Sequence, residues 1–171
     1  MNAKEERVFV YKPRWLPRRQ VVLVDMDGTL ADSRHREHFV QGKRKNWKAF
    51  FDAMDSDEPN AAIAEWVREL AKSYDIVIVT GRPQEYLQNT VEWLERYSVP
   101  FSQIIMRRQG DRRPDFVVKE EMLSVLDSER IAMMIDDRPS VCDMWERRGL
   151  RCHRVIEGRR NPNFELPEEA P

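Results

Sequence analysis

At 171 residues with 41% apolar side chains, the chain has material for one hydrophobic core and too little for two full domains with linkers. Charged residues make up 35% of it yet nearly cancel, and a net charge of −1 excludes a global pull toward nucleic acid or an anionic membrane. No stretch approaches the roughly 18 apolar residues of a spanning helix. Met1 to Gln20, interrupted by Pro13 and Pro17, has no signal-peptide apolar region, so a soluble, cytoplasmic protein with no membrane partner is expected.

Taken in chain order, four apolar runs read as strands buried on both faces: Val21 to Val24, Ile76 to Val79, Ile104 to Met106 and Ile131 to Ile135. Helical patterns lie between them. Ala61 to Ser73 carries Ile63, Trp66, Val67 and Leu70 at three-and-four spacing, and Pro83 to Tyr97 carries Tyr86, Leu87, Val91 and Leu94, with Pro83 in the first turn. A third helix is expected over Val118 to Leu126, opened by Lys119, and a fourth over Pro139 to Arg148, stopped by Gly149. Leu150 to Ile156 supplies a last strand. Strands alternating with helices of this length predict an α/β fold, a doubly wound parallel sheet in three α/β/α layers. Two segments break the alternation. Residues 32–59 form a small helical lid insert with Phe39, Trp47, Phe50 and Phe51 on one apolar face, and residues 157–171 read as a frayed tail, all within a single domain spanning 1–171. Cys142 and Cys152 form no C-x-x-C pair and read as reduced thiols.

The first strand empties into Asp25-Met26-Asp27-Gly28-Thr29, which puts two carboxylates where a buried strand surfaces. The second ends in Thr80-Gly81-Arg82, a hydroxyl, a small residue and a cation at the same sheet edge. The fourth ends in Asp136-Asp137, whose adjacent carboxylates repel unless a cation compensates, and a hard ion such as Mg²⁺ takes such oxygens. Lys119, expected at a helix start, opposes the macrodipole there and needs another justification; facing Asp25 is one, simple exposure another. His35 and His38 lack a third ligand at suitable spacing, so no zinc site is read. Trp66, Trp93 and Trp145 fall on apolar helix faces and are assigned to the core.

This succession, D-x-D-G-T, T-G-R, lysine and D-D, resembles the haloacid dehalogenase (HAD) superfamily of phosphohydrolases over about Val21 to Ile156. The resemblance implies Asp25 as nucleophile, Asp27 as acid/base, Thr80 and Gly81 as phosphate ligands and Lys119 as charge stabiliser. It also implies Mg²⁺ held by Asp25, the Asp27 backbone carbonyl and Asp136. Within that superfamily the stretch from Arg107 to Lys119, with Asp136-Asp137-Arg138, Met144-Trp145 and Gly149, is similar to the 3′-phosphatase domain of phage polynucleotide kinase-phosphatases. That similarity implies Arg82 and Arg107 as contacts to substrate phosphate and Asp137 as a supporting carboxylate. No G-x-x-x-x-G-K-[ST] occurs, so the companion kinase module is not expected.

Asp27 distinguishes phosphatase from dehalogenase chemistry, because only an oxygen leaving group needs a proton. The short insert leaves the site open to a polymer end. From Arg34 to Lys48 the bases Arg34, Arg36, Lys43, Arg44, Lys45 and Lys48 face one acid, Glu37, so this run could track a nucleic-acid backbone while Trp47 or Phe50 stacks on a base. The same residues could equally pack and solvate the lid. The expected substrate is the 3′-phosphate of a DNA or RNA end, the alternatives being a nucleoside 5′-monophosphate or a non-catalytic binding module of the same fold.

Overall fold

The computed structural model describes residues 8–12, 19–161 and 164; the expectations for Pro13, Pro17 and the end of the tail lie outside them. Among the described residues there are eight strands: β1 (Phe9–Tyr11), β2 (Val21–Val24), β3 (Ala31–Asp32), β4 (Glu58–Pro59), β5 (Asp75–Pro83), β6 (Gln103–Arg107), β7 (Ile131–Asp136) and β8 (Cys152–Arg154). The α-helices are α1 (Trp47–Asp52), α2 (Ala61–Leu70), α3 (Leu87–Arg96), α4 (Asp115–Met122) and α5 (Pro139–Arg147). Six strands form one sheet in the order β1-β6-β5-β2-β7-β8, parallel except for β1, which pairs antiparallel with β6.

Alternation along the central strands builds both layers. Val22, Val24, Ile76 and Ile78 face Ile63, Val67 and Leu70 of α2 and Trp93 and Leu94 of α3. Their neighbours Val21, Leu23, Val77 and Val79 face Val118 and Met122 of α4 and Val141, Met144 and Trp145 of α5. Each residue of a doubly covered strand must be apolar for this to work, hence the unbroken Val/Ile/Leu runs. After β2 the chain adds β5 and β6 on one side, then crosses to add β7 and β8 on the other, so the topological switch falls at β2. A ligand crevice opens at the carboxyl end of a strand in that position. No helix of the described residues is long and apolar enough to cross a membrane.

Several boundaries differ from the sequence expectations. Pro83 ends β5 instead of starting a helix; a 3₁₀ turn at Gln84–Tyr86 intervenes before α3. Helix α4 starts at Asp115, three residues before the expected position, because Pro114 fixes the preceding backbone. Lys119 therefore sits one full turn into the helix, beyond the reach of the first-turn dipole argument, and Asp115 takes the favourable acidic position there. Strand β1 was not anticipated: three residues at a sheet edge give too short an apolar signal. The tail is docked where it is described. Phe164 packs edge-on against Trp66 and His153, and the Asn161 N–H donates to His153 Nε2 at 3.1 Å.

The lid is closed at its base by a two-stranded ribbon, Ala31–Asp32 against Glu58–Pro59. Between these strands run a 3₁₀ helix (Arg34–Val40), α1 and a 3₁₀ turn (Met54–Ser56).

Candidate active site

Asp25 follows the last residue of β2, and its N–H donates to the Ile135 carbonyl of β7 at 3.0 Å, which ties it to the sheet before the chain turns away. Its side chain is buried. Lys119 Nζ lies 2.8 Å from Asp25 Oδ1, 2.7 Å from Asp136 Oδ2 and 3.4 Å from Asp115 Oδ2, so one ammonium gathers carboxylates from the loop after β2, from β7 and from α4. Thr29 Oγ1 donates toward Asp25 Oδ2 at 3.4 Å or Asp137 Oδ1 at 3.3 Å. Residues 111 positions apart in sequence thus meet at the edge that the strand ends define.

Two glycines make this convergence possible. Gly28 turns with φ +88°, and a Cβ on it would lie 2.4 Å from Asp137 Oδ2; a Cβ on Gly81 would lie 2.3 Å from Asp115 Oδ1. Both are places where the backbone must come within a carboxylate's reach.

The electrostatics of this cluster are unbalanced. Burial pushes Asp25 up to about 7, Lys119 pulling it back and the charges of Asp136 and Asp115 adding to the rise. Asp137 is pushed up to about 6 by burial and by Asp25. Asp136 is likewise raised by burial against the pull of Lys119. Lys119 stays an ammonium, because its three carboxylates outweigh its burial. Asp25, Asp136 and Asp137 each offer an oxygen within 4.8 Å of the others. Crowded, buried, hard oxygen donors with surplus negative charge are the donor set that a divalent cation such as Mg²⁺ satisfies. Asp137 enters this set directly, beside the two carboxylates named from sequence.

Asp27 has the opposite surroundings. Its Oδ1 accepts from Arg36 Nη2 at 2.6 Å and from Arg82 Nε and Nη2 at 2.9 and 2.5 Å. Burial would raise its carboxyl, but the two guanidiniums hold it well below the usual carboxylate range. Behind them lies fully buried Asp57, accepting from Arg36 Nε at 2.7 Å, Arg36 Nη2 at 2.5 Å and Arg82 Nη2 at 3.2 Å, with His35 Nε2 at 2.8 Å. Trp93 Nε1 donates to the Asp57 carbonyl at 2.8 Å, and the Arg36 guanidinium lies 4.1 Å over the Phe50 ring.

These contacts show how three of the expected residues are placed. Arg82, expected to touch substrate phosphate, is fully buried and spends its guanidinium on Asp27, Asp57 and Thr90. The cause is a register shift between Thr80 and Pro83 in the β5–β6 pairing, a bulge that re-aims the side chains of the T-G-R segment. Arg107 does border the cleft, but its nitrogens donate to the carbonyls of Gly81, Asp111 and Arg113 and to Asp115 Oδ1, so it organises the 108–114 loop. Arg36 is no part of an exposed basic face, and Phe50 is buried beneath it. Thr80 is buried with its hydroxyl accepting the Arg82 N–H at 3.2 Å, and Gly81 is the T-G-R residue that lines the cleft.

Asp57 and Asp115 were given no role from sequence, and Arg36 only a place in the basic run. Asp115 carries a legible signal, four residues before Lys119 and so on the same helix face. Arg36 and Asp57 carry none, being single members of a basic and an acidic run.

Above these groups a cleft of about 1210 Å³ opens between the lid and the 108–114 loop, with Asp25 and Asp27 in its wall. The lid contributes Arg44, Lys45 and Trp47, and the opposite loop contributes Arg112.

The family model described as the polynucleotide kinase PNKP phosphatase domain matches residues 19–159. A chain of the Pnkp1/Rnl/Hen1 RNA repair complex is 26% identical with a TM-score of 0.69, over 79% of this chain and 42% of that one. A second chain, from a Pnkp1/Rnl/Hen1 complex, matches in fold with 24% identity and a TM-score of 0.69, over 85% of this chain and 50% of that one. The chain thus spans half or less of the length of these two relatives. The fold is also shared with a haloacid dehalogenase-like hydrolase from Streptococcus pneumoniae, at 16% identity and a TM-score of 0.56, over 81% and 85% of the two chains. With 19–159 matched and the doubly wound sheet in place, this chain belongs to the polynucleotide kinase PNKP phosphatase domain family of the HAD superfamily and is a phosphatase.

Proposed function

We propose that this phosphatase removes the 3′-phosphate from DNA or RNA ends through an aspartyl-phosphate on Asp25, with Mg²⁺ held by Asp25, Asp136 and Asp137. The observation that carries the reading is the placement of Asp25 in an open, cation-bordered cleft within a domain of this family. An enclosed site would suit a small metabolite, whereas an open one accepts the end of a strand.

Phosphate monoesters resist attack because their oxygens are anionic, so the site must offset charge and align a nucleophile with the leaving oxygen. Lys119 and Thr29 hold the two oxygens of Asp25 in place, and Lys119 brings its positive charge to the phosphoryl group. A divalent cation held by Asp25, Asp136 and Asp137 would supply further positive charge to the phosphoryl group. An Asp25 oxygen forms a bond to phosphorus as the P–O3′ bond breaks; Asp27, ionised in the free protein, takes up the proton that the phosphate monoanion brings and passes it to the departing oxygen. Water then attacks phosphorus, Asp27 takes back a proton, and the Asp25–phosphorus link breaks to release inorganic phosphate. Both arginines bind Asp27 Oδ1, which leaves Oδ2 as the oxygen that carries the proton in each half.

Purified protein with Mg²⁺ is offered a 3′-phosphorylated oligonucleotide, its 5′-phosphorylated counterpart and each nucleoside monophosphate. The 3′-phosphorylated strand is expected to exceed every other substrate at least tenfold in kcat/KM, with a marked loss of binding as salt rises. A preference for mononucleotides with little salt dependence overturns the assignment.

A further inference from the structure

We propose that Trp47 is the platform on which the 3′-terminal nucleobase stacks while its phosphate reaches Asp25, with Lys45 and Arg112 holding the adjoining phosphodiester from opposite walls. The inference rests on the strand-end reading above and specifies how the strand is gripped.

Among the described residues, the large hydrophobic side chains left exposed are Trp47, at 44%, and Ile156. Ile156 stands by a separate small groove behind Asp137, whereas Trp47 stands in the wall of the same cleft as Asp25. Its indole is braced from below. Phe51 lies nearly parallel to it, centroids 6.0 Å apart and planes 24° apart, and Phe50 meets it edge-on at 5.7 Å. Phe51 in turn rests on Tyr86 of the body at 5.3 Å. A tryptophan that only fastened the lid would be covered by this packing; here the packing supports the ring and leaves much of it in the cleft. A braced aromatic plane next to a phosphatase centre suits a nucleobase, since every base has a π-face and no particular base is demanded.

The charges beside it select for a polyanion. Several bases of the cleft wall are already neutralised: Lys48 pairs with Asp52 at 2.6 Å, and Arg113 with Asp111 and Glu121, each at 2.7 Å. Lys45, Arg44 and Arg112 have no ion pair among the described residues, and they sit on both sides of the opening. Lys45 Nζ lies 5.8 Å from the Trp47 ring centroid, a weak hold that a phosphodiester anion outcompetes. A free mononucleotide has no second phosphate to occupy these cations; a strand does.

The test uses the full chain with Mg²⁺ and two strands that differ only at the 3′-phosphorylated residue, one bearing a base and one abasic. The wild type is expected to favour the base-bearing end at least fivefold in KM, within the range of one base–aromatic stack. In Trp47→Ala that ratio falls to near one with kcat little changed, and in Trp47→Phe it is largely kept. Lys45→Ala with Arg112→Ala flattens the dependence of log KM on log salt by about one unit. An equal KM for the two ends in the wild type, or a preference that survives in Trp47→Ala, overturns the platform while leaving strand-end hydrolysis intact. Failure of the wild type on both strands, with turnover of nucleoside monophosphates, instead overturns the reading on which it rests.

Discussion

Two clusters of buried charge lie side by side and are built on opposite principles. At the sheet edge, Asp25, Asp115 and Asp136 gather about the ammonium of Lys119 with Asp137 beside them, and burial drives the Asp25, Asp136 and Asp137 carboxyls upward. Under the lid, the two carboxylates of Asp27 and Asp57 meet the two guanidiniums of Arg36 and Arg82, and Asp27 is driven downward. The first cluster is short of positive charge and so is fitted to take a cation and a phosphoryl group. The second is balanced within itself, and holds an acid/base group ionised until a proton is delivered to it. Adjacent aspartates, two residues apart in sequence, are thereby given different chemistry by their partners alone.

The hardest blow to this contrast is Asp25→Asn, which keeps the shape of the side chain and removes its nucleophilic oxygen. Phosphatase turnover should fall by at least about a thousandfold with the thermal unfolding profile preserved. Lys119→Met tests the sheet-edge cluster as a structural unit. It leaves buried carboxylates unpaired and should cost about 3–5 kcal/mol in metal-free urea unfolding. Mg²⁺ should restore part of that loss. A variant as stable as the wild type would mean that Lys119 does not hold the cluster together.

The sheet-edge cluster was legible because each part has a sequence position that topology fixes. A run buried on both faces declares a central parallel strand, and carboxylates just past such runs at Asp25 and Asp136 must surface at one edge. Lys119 could be drawn into the same set only through the order of the motifs, since its helix starts earlier than its own signals suggest. The lid cluster was illegible for a different reason. Arg36 reads like the exposed bases around it, and Asp57 like the acids around it, because a buried ion pair between chain segments leaves no periodic trace. Arg82 was found but its partners were not: the register shift between Thr80 and Pro83 has no signature beyond one glycine, and the carboxylates that meet the guanidinium lie on other segments.

Asp57→Asn addresses the lid cluster at its least accessible point. The amide keeps the shape and an acceptor oxygen but removes the charge shared by Arg36 and Arg82, at a cost of about 2–3 kcal/mol, the scale of charge-assisted hydrogen bonds. Freed from Asp57, both guanidiniums can shift around Asp27, and kcat should drop about tenfold with KM for a small phosphate ester less affected. An unchanged kcat would confine Asp57 to a structural role.

The smallest and most discriminating effect is expected from Asp137→Asn in the absence of divalent ions. Burial and the Asp25 charge raise the Asp137 carboxyl from 3.8 to about 6, so between those values the native protein binds more protons than the unfolded chain. Stability contributed by this group is therefore lost as pH rises through that window, and above it the ionised carboxylate opposes folding. Replacing it with the neutral amide should raise metal-free stability at pH 7.5 by about 1 kcal/mol, after discounting for solvent near a partly exposed group. The same change should shrink the stabilisation that saturating Mg²⁺ gives the wild type, which is about 2.7 kcal/mol at a hundred times Kd. A variant that is less stable without metal and equally stabilised with it would show that Asp137 is already compensated within the protein, and the contrast between a cluster that awaits a cation and one that does not would fail at this residue.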